Sequence, residues 1–253
     1  MRIVNRRKFI HAICILTLGL AILIGAIVGL VMLFTRPKEE KIAKQEDTQQ
    51  TTQVAASTGP NEAILSQWNL MLVNKENSVD PNYVPELEEI SDGRMFDKRA
   101  ISYVKDLINA MWKNGIRNVW VQSSYRSYEK QKELFDNKVQ EYIEQGKKQE
   151  EAERLAQTVV QRPEMSEHNL GLAVDFNTVT NSFETTKAFE WLQKNAWEYG
   201  FILRYPKDKV DITGITYESW HWRYVGKEHA KVIKEKGFCL EEYVDYLKGA
   251  TNV

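Results

Sequence analysis

The chain has 253 residues, enough for one folded domain of ordinary size with additional segments. Its 34 Lys and Arg residues balance 35 Asp and Glu residues, and the net charge of −1 excludes the large basic field typical of nucleic-acid-binding proteins. Aromatic residues make up 11% of the chain, which favours a packed globular domain over a disordered one.

The N-terminal segment predicts a membrane anchor. Residues 2–8 carry four positive charges, and an almost unbroken apolar run follows from Phe9 to Phe34. The run exceeds the roughly 20 residues that cross a bilayer and the about 7–15 residues of a signal-peptide core. We therefore predict a cytoplasmic tail at residues 1–8, an uncleaved transmembrane segment at residues 9–35 and the remaining chain outside the cytoplasm. A cleaved signal peptide is the alternative.

A polar linker is predicted between the membrane segment and the domain. Residues 36–60 are rich in Lys, Glu, Gln, Thr and Ser and contain no large apolar cluster, so they cannot bury a face. The exported domain is predicted to cover residues 61–253. Its single cysteine, Cys239, is interpreted as a small buried apolar residue, because Cys14 lies in the predicted membrane segment and cannot pair with it.

Helices and short strands are mixed along the domain without a regular βαβ repeat. Apolar residues spaced by three and four predict helices at residues 99–114, 127–161 (two helices divided at Gly146), 187–199, 228–236 and 240–247. Segments rich in β-formers predict strands or extended chain at residues 68–74, 118–123, 172–176, 201–205 and 220–224. This order predicts an α+β fold in which helices surround a small antiparallel sheet.

The stretch SEHNLGLAVDF, residues 166–176, places His168 ahead of a glycine and puts Asp175 inside an apolar strand. An isolated buried carboxylate is expensive, and a metal ion would remove that cost. Gly171 would let the chain turn so that both side chains reach one point. The alternatives are a structural histidine and an aspartate in a turn or a helix cap.

The stretch YESWHWRYVG, residues 217–226, adds Glu218 and His221 three residues apart. A zinc hydrolase needs three protein ligands, an open position for water and a carboxylate that takes the proton of that water. His168, Asp175 and His221 would supply the ligands, and Glu218 the general base. The alternatives are a surface carboxylate for Glu218 and, for His221, a hydrogen bond to backbone within an aromatic cluster.

The stretch SSYRSYEKQKELF, residues 123–135, carries Arg126 in a loop between a predicted strand and a predicted helix. A guanidinium in such a loop can stabilise a developing oxyanion or donate two hydrogen bonds to a carboxylate. A surface salt bridge is the third interpretation.

Taken in chain order, the three stretches resemble a known family. The pattern S-x-H-x-x-G-x-A-x-D, followed by E-x-x-H-W-R and preceded by S-Y-R-S, is similar to the VanY-type D-alanyl-D-alanine carboxypeptidases and to related L,D-carboxypeptidases. The resemblance runs from about Trp68 to Leu247, nearly the whole predicted domain. It implies the small antiparallel sheet of the D,D-peptidase and hedgehog-like fold.

The resemblance also implies a role for each of eight side chains. It implies zinc ligands at His168, Asp175 and His221, with Glu218 as the general base. It places Arg126 opposite the scissile carbonyl and implies a substrate pocket that includes Gln131, Ser166 and Tyr205. The neighbouring pair Trp222 and Arg223 is expected to pack beneath the site.

These features predict a monomeric zinc D,D-carboxypeptidase, held by one helix in a bacterial cell membrane with its catalytic domain outside the cytoplasm. Its expected partners are peptidoglycan peptide stems ending in D-alanine, and it is expected to remove that residue from pentapeptides. The nearest alternative is an L,D-carboxypeptidase on tetrapeptide stems, and an endopeptidase is a further one. Non-enzymatic alternatives are a cell-wall peptide-binding module and a membrane-tethered structural or sensor protein.

Overall fold

The structure, a computed structural model, describes residues 64–249. The predicted cytoplasmic tail, membrane segment and linker of residues 1–60 lie outside the described residues, and so do residues 61–63 and 250–253 at the two ends of the predicted domain. Among residues 64–249, no helix is both long enough and apolar enough to cross a membrane.

A four-stranded antiparallel sheet forms the scaffold of the domain. Its strands stand in the order β3-β4-β6-β5, so that β4 and β6 are the inner pair. The strands are β3 (Val121–Ser123), β4 (Ala173–Phe176), β5 (Phe201–Leu203) and β6 (His221–Tyr224). A separate hairpin consists of β1 (Leu87–Ser91) and β2 (Arg94–Asp97). These sheets and the helices around them confirm the predicted α+β fold.

The register of β4 and β6 sorts their side chains between two different environments. Val174 pairs with Trp222, and both side chains belong to the main apolar core. Asp175 pairs with His221 one position along. Because successive side chains in a strand point to opposite faces, this pairing sets a carboxylate beside an imidazole on the face away from that core.

The predicted helices are present, with ends shifted by a few residues. They are α1 (Ile101–Lys113), α2 (Tyr128–Glu144), α3 (Gln149–Ala156), α4 (Lys187–Asn195), α6 (Lys227–Lys236) and α7 (Leu240–Leu247). A short helix that was not predicted, α5, spans Val210–Thr213. The division of the long helical segment at Gly146 is confirmed, since this glycine lies between α2 and α3 with a φ of +87°. Ser127 caps α2 by accepting a hydrogen bond from the Lys130 N–H.

Three apolar clusters stabilise the described domain. The main core joins α1 to the sheet, with Val104, Leu107 and Met111 packed in the same cluster as Val174 and Trp222. A second cluster includes residues of α6 and α7, and a third joins α2 to α3. The chain therefore buries one face of the sheet in apolar contacts and leaves the other available for polar side chains.

The hairpin β1–β2 was not predicted, although its turn carries a recognisable signal. Asp92 and Gly93 have φ values of +50° and +73°, as a two-residue hairpin turn with positive φ at both positions requires. The N–H of Asp97 at the end of β2 donates to the Gly171 carbonyl over 2.9 Å. The hairpin thus supports the chain between the predicted ligands His168 and Asp175.

Residues 68–74, predicted as a strand or extended chain, do not form a strand. Trp68–Leu70 forms a turn of 3₁₀ helix, and none of the named strands of the described domain includes this segment. The reason lies in a buried guanidinium: Arg223 donates to the carbonyls of Asn69 and Met71 over 3.1 and 3.0 Å. Backbone groups that would otherwise pair with a strand are therefore used by a side chain.

The other predicted strands are longer than the observed ones. The strand predicted at residues 118–123 keeps only its last three residues as β3. Its first part bonds to a side chain instead, since Asn177 donates to the Asn118 carbonyl and accepts from the Trp120 N–H. Local composition predicts an extended chain there but not which partner satisfies its backbone.

Replacing Gly171 by alanine is expected to destabilise the domain by about 1–3 kcal/mol, because the chain here has a left-handed conformation with a φ of +68°. An added Cβ would also lie 3.1 Å from the backbone nitrogen of Asp97 and 3.3 Å from the Leu87 Cδ2. Urea-induced unfolding measures the change. Gly146→Ala is the control, since its φ is +87° but no atom lies within 4 Å of the added Cβ. Equal losses in the two variants would show that the close approach at Gly171 has no cost.

Candidate active site

Three buried side chains from a turn and two strands converge on one point. His168 lies in the 3₁₀ turn Glu167–Leu170, Asp175 in β4 and His221 in β6. One nitrogen or oxygen from each can be chosen so that the three atoms lie within 4.8 Å of one another. Nε2 of His168 is 3.2 Å from Asp175 Oδ2, and Nδ1 of His221 is 3.1 Å from Asp175 Oδ1. The structure thus brings together the three predicted metal ligands.

The donor set and its surroundings fit a metal ion. The Nδ1 atom of His168 lies 2.6 Å from the Ser124 carbonyl oxygen, so its Nε2 is the nitrogen that faces Asp175. Asp175 Oδ1 is buried and forms no hydrogen bond within residues 64–249, despite its short distance to His221. Two imidazole nitrogens and a carboxylate oxygen form a set of the kind that binds zinc.

Glu218 lies beside these three side chains, three residues before His221 in the chain. Its Oε2 atom is 3.6 Å from His221 Nδ1. Burial, opposed by His221 and reinforced by Asp175, raises the pKa of Glu218 to about 8. A general base must be deprotonated, and the positive charge of a metal ion at the three neighbouring ligands would favour that form of Glu218.

The two histidines differ in protonation. Burial, together with the charge of Arg126, lowers the pKa of His168 to about 4, so its imidazole is neutral at pH 7. Burial also acts to lower the pKa of His221, but contacts with Asp175 and Glu167 outweigh it and raise that pKa to about 9. Binding of a metal ion at neutral pH would therefore displace a proton from His221.

Arg126 is held at the same point by three side chains. Its guanidinium donates to Ser123 Oγ over 2.8 Å, to Gln131 Oε1 over 3.1 Å and to Asp175 Oδ2 over 2.8 Å. The sequence left open whether this arginine contacts a carboxylate, a developing oxyanion or a surface partner. In the structure Arg126 contacts a carboxylate, that of the predicted metal ligand Asp175.

A single cleft is lined by all eight predicted site residues, namely Arg126, Gln131, Ser166, His168, Asp175, Tyr205, Glu218 and His221. Helix α2 forms one wall of this cleft. Its Gln131 donates to the Gln161 carbonyl over 2.7 Å and so joins the helix to the chain that leads to His168. The buried ring of Tyr205 lies 4.9 Å from the His221 ring, measured between centroids.

Four buried charged residues close to the site were not predicted to act together. They are Glu167, Arg204, Arg223 and Glu241. A signal for them exists in the sequence, because both arginines interrupt segments that otherwise read as strands. The same reasoning that singled out a carboxylate in β4 applies to a guanidinium in β6.

The VanY family of D-alanyl-D-alanine carboxypeptidases matches this chain over residues 93–227. All eight predicted site residues lie within that range. A D-alanyl-D-alanine carboxypeptidase of Enterococcus faecalis is 44% identical over 179 residues. The match covers 71% of this chain and 66% of the relative, so the chain spans about two thirds of the length of that protein.

Two solved structures have similar sequences and folds. A vancomycin resistance D,D-pentapeptidase VanY variant in complex with Zn(II) is 44% identical, with a TM-score of 0.64 over 70% of this chain and 99% of that one. The LD-carboxypeptidase LdcB is 39% identical, with a TM-score of 0.61 over 70% of this chain and 86% of that one. Because the family match covers more than half of the chain and includes the whole predicted site, the chain belongs to the VanY family of D-alanyl-D-alanine carboxypeptidases.

Proposed function

We propose that this protein is a zinc-dependent D,D-carboxypeptidase that removes the terminal D-alanine from peptidoglycan pentapeptide stems. The observation that carries the proposal is the convergence of His168, Asp175 and His221 beside Glu218 in one cleft. The Zn(II) complex of a similar VanY structure supports the metal, and the D-alanyl-D-alanine carboxypeptidase of Enterococcus faecalis supports the substrate.

Each side chain has a role that follows from its position. Zinc held by the two histidines and Asp175 would supply Lewis acidity to the attacking water and the scissile carbonyl. Glu218 takes the proton of the water and returns it to the leaving amino group as the C–N bond breaks. Arg126, already fixed above Asp175, donates a hydrogen bond to the carbonyl oxygen as negative charge develops on it.

The substrate pocket is proposed to include Gln131, Ser166 and Tyr205. All three are buried and line the cleft that contains the metal ligands. Gln131 accepts a hydrogen bond from Arg126, which connects the pocket to the catalytic groups. Polar groups at such positions would hold the terminal carboxylate of the peptide and so favour removal of the last residue over internal cleavage.

We further propose that the domain is monomeric and acts outside the cytoplasm, attached to the bacterial cell membrane. The support is the basic segment of residues 2–8 followed by the apolar run from Phe9 to Phe34. The polar linker of residues 36–60 would place the domain, residues 61–253, at a distance from the bilayer. Such an arrangement gives the cleft access to peptidoglycan stems.

An L,D-carboxypeptidase acting on tetrapeptide stems is the second candidate. The LD-carboxypeptidase LdcB supports this candidate, since it is 39% identical and has a similar fold over 70% of this chain. The metal ligands and the general base would be the same in both enzymes. The two differ in the shape of the pocket that receives the residue before the scissile bond.

The experiment uses purified protein loaded with zinc, given pentapeptide and tetrapeptide stems in parallel reactions. Mass spectrometry follows loss of one terminal alanine, and a chelator-treated sample is the control. We expect chelator-sensitive loss from the pentapeptide alone. Loss from the tetrapeptide alone would keep the zinc chemistry but move the protein to the L,D class. Loss from neither peptide, with zinc bound, would leave a peptide-binding module.

A further inference from the structure

A buried carboxylate lies directly behind one of the metal-site histidines. Glu167 is 1% exposed, and its Oε1 atom lies 2.7 Å from Arg204 Nε and 2.8 Å from an Arg223 terminal nitrogen. Its Oε2 atom faces His221 Nε2 at 3.5 Å. Within residues 64–249, neither of these two facing atoms has a hydrogen-bond partner.

The position of Glu167 is determined by a charged network that extends away from the cleft. Arg204 donates from its two terminal nitrogens to Glu241 of α7 over 2.8 and 2.6 Å. Glu241 also accepts from Asn74 over 3.2 Å. Arg223 is fixed separately by backbone carbonyls, including that of Tyr224. Because both arginines are held from other sides, they restrict the orientation of the carboxylate between them.

The two ring nitrogens of His221 face different groups. Nδ1 points to Asp175 and Glu218, which belong to the metal site, and Nε2 points to Glu167. A neutral imidazole has one N–H donor and one acceptor, and the partner of the outer nitrogen decides which nitrogen is free to bind a metal. The other histidine follows the same rule, since its outer nitrogen meets the Ser124 carbonyl at 2.6 Å.

We propose that Glu167 is a positioning residue for His221. The Glu167 carboxylate accepts a hydrogen bond from the Nε2–H of His221, so that the lone pair of Nδ1 faces the proposed metal site. The two arginines hold the carboxylate in that orientation. This inference rests on the proposed zinc site. A carboxylate behind a histidine ligand fixes the tautomer and the ring orientation, and loss of such a partner lowers metal affinity by about 10–100-fold.

The test compares Glu167→Gln with Glu241→Gln. Both variants remove one buried carboxylate from Arg204, but only the first removes a group that faces His221. Zinc affinity is measured by competition with a chromophoric chelator. We expect Glu167→Gln to weaken zinc binding by about 10–100-fold and Glu241→Gln to weaken it by less than about tenfold. Equal losses in the two variants would overturn the inference, since the effect would then act through the fold.

A spectroscopic measurement separates orientation from stability. In the zinc-loaded protein labelled with ¹⁵N-histidine, the Nε2 proton of His221 should resonate far downfield, as expected for a hydrogen bond to a carboxylate. This resonance should move upfield or vanish in Glu167→Gln and stay in place in Glu241→Gln. An unchanged resonance in Glu167→Gln would overturn the inference.

A variant that preserves charge covers the case in which Glu167→Gln does not fold. Glu167→Asp keeps a negative charge between the arginines but withdraws it from His221 by one methylene group, so zinc affinity should still fall. Unchanged zinc affinity would overturn the inference and leave the proposed function intact. Wild-type protein that binds no zinc would overturn the proposed function, and the Nε2 resonance of the zinc-free protein would then decide whether Glu167 holds His221.

Discussion

Glu218→Ala should abolish hydrolysis of the pentapeptide while the protein still binds zinc. Glu218 is not among the three converging ligands, but its carboxylate is 3.6 Å from the ring of one of them. Its loss removes the proposed general base for the attacking water, and general-base catalysis contributes about 10²–10⁴-fold to rate. Steady-state hydrolysis and zinc content by atomic emission spectroscopy measure the two expectations.

Two further variants make this prediction specific. Glu218→Gln keeps the shape of the side chain and should lose activity to a similar extent, because an amide cannot accept the proton in this way. Glu190→Gln is the control, since this exposed glutamate forms an ion pair with Lys194 on the surface of α4 and does not line the cleft. Full activity in Glu218→Ala would contradict the proposed mechanism, and loss of zinc from that variant would assign Glu218 to the metal instead.

Asp175→Asn is expected to lower zinc affinity by more than about 100-fold. Loss of a residue that only hydrogen-bonds to a metal ligand lowers affinity by about 10–100-fold, and loss of a ligand itself should have a larger effect. The neutral amide is a weaker ligand than a carboxylate, and the substitution also removes the negative charge that contacts Arg126 and both histidines. Zinc should raise the melting temperature of the wild-type protein, because a ligand that binds only the folded state stabilises it by about 2.7 kcal/mol at 100 times its Kd. The variant should show no such rise.

A matched control is available in the same domain. Asp97 is as deeply buried as Asp175 and is also paired with an arginine, Arg99, at 2.5 Å, but it does not line the cleft. Asp97→Asn should therefore lose stability and keep its zinc affinity. Comparable zinc affinities in the two variants would contradict the assignment of Asp175 as a ligand.

Local sequence patterns were sufficient for the described helices other than the short α5 and for the choice of candidate ligands. The amphipathic spacing in residues 99–114 and the glycine at 146 correspond closely to α1 and to the gap between α2 and α3. The polar interruption at Asp175 stood out because the strand around it is apolar. Patterns of this kind depend only on residues that are close together in the chain. They can therefore be recognised without knowing which distant residues those positions contact in the fold.

The hairpin β1–β2 could have been predicted and was not. Asp92-Gly93 is among the strongest short signals for a two-residue hairpin turn, and both residues have positive φ values. Residues 68–74 are a different case, because their composition favours a strand. Only the approach of Arg223, distant in the chain, shows why their carbonyls are used otherwise.

The chain order of three short motifs was enough to indicate the family, the type of metal site and a candidate general base, since each depends on residue types at fixed spacings. The folded structure alone decided which groups face one another. The register of β4 against β6 sets Asp175 opposite His221, and the burial of four charges places Glu167 behind that histidine. Such contacts depend on strand pairing and on charge neutralisation between segments far apart in sequence, which no local pattern encodes.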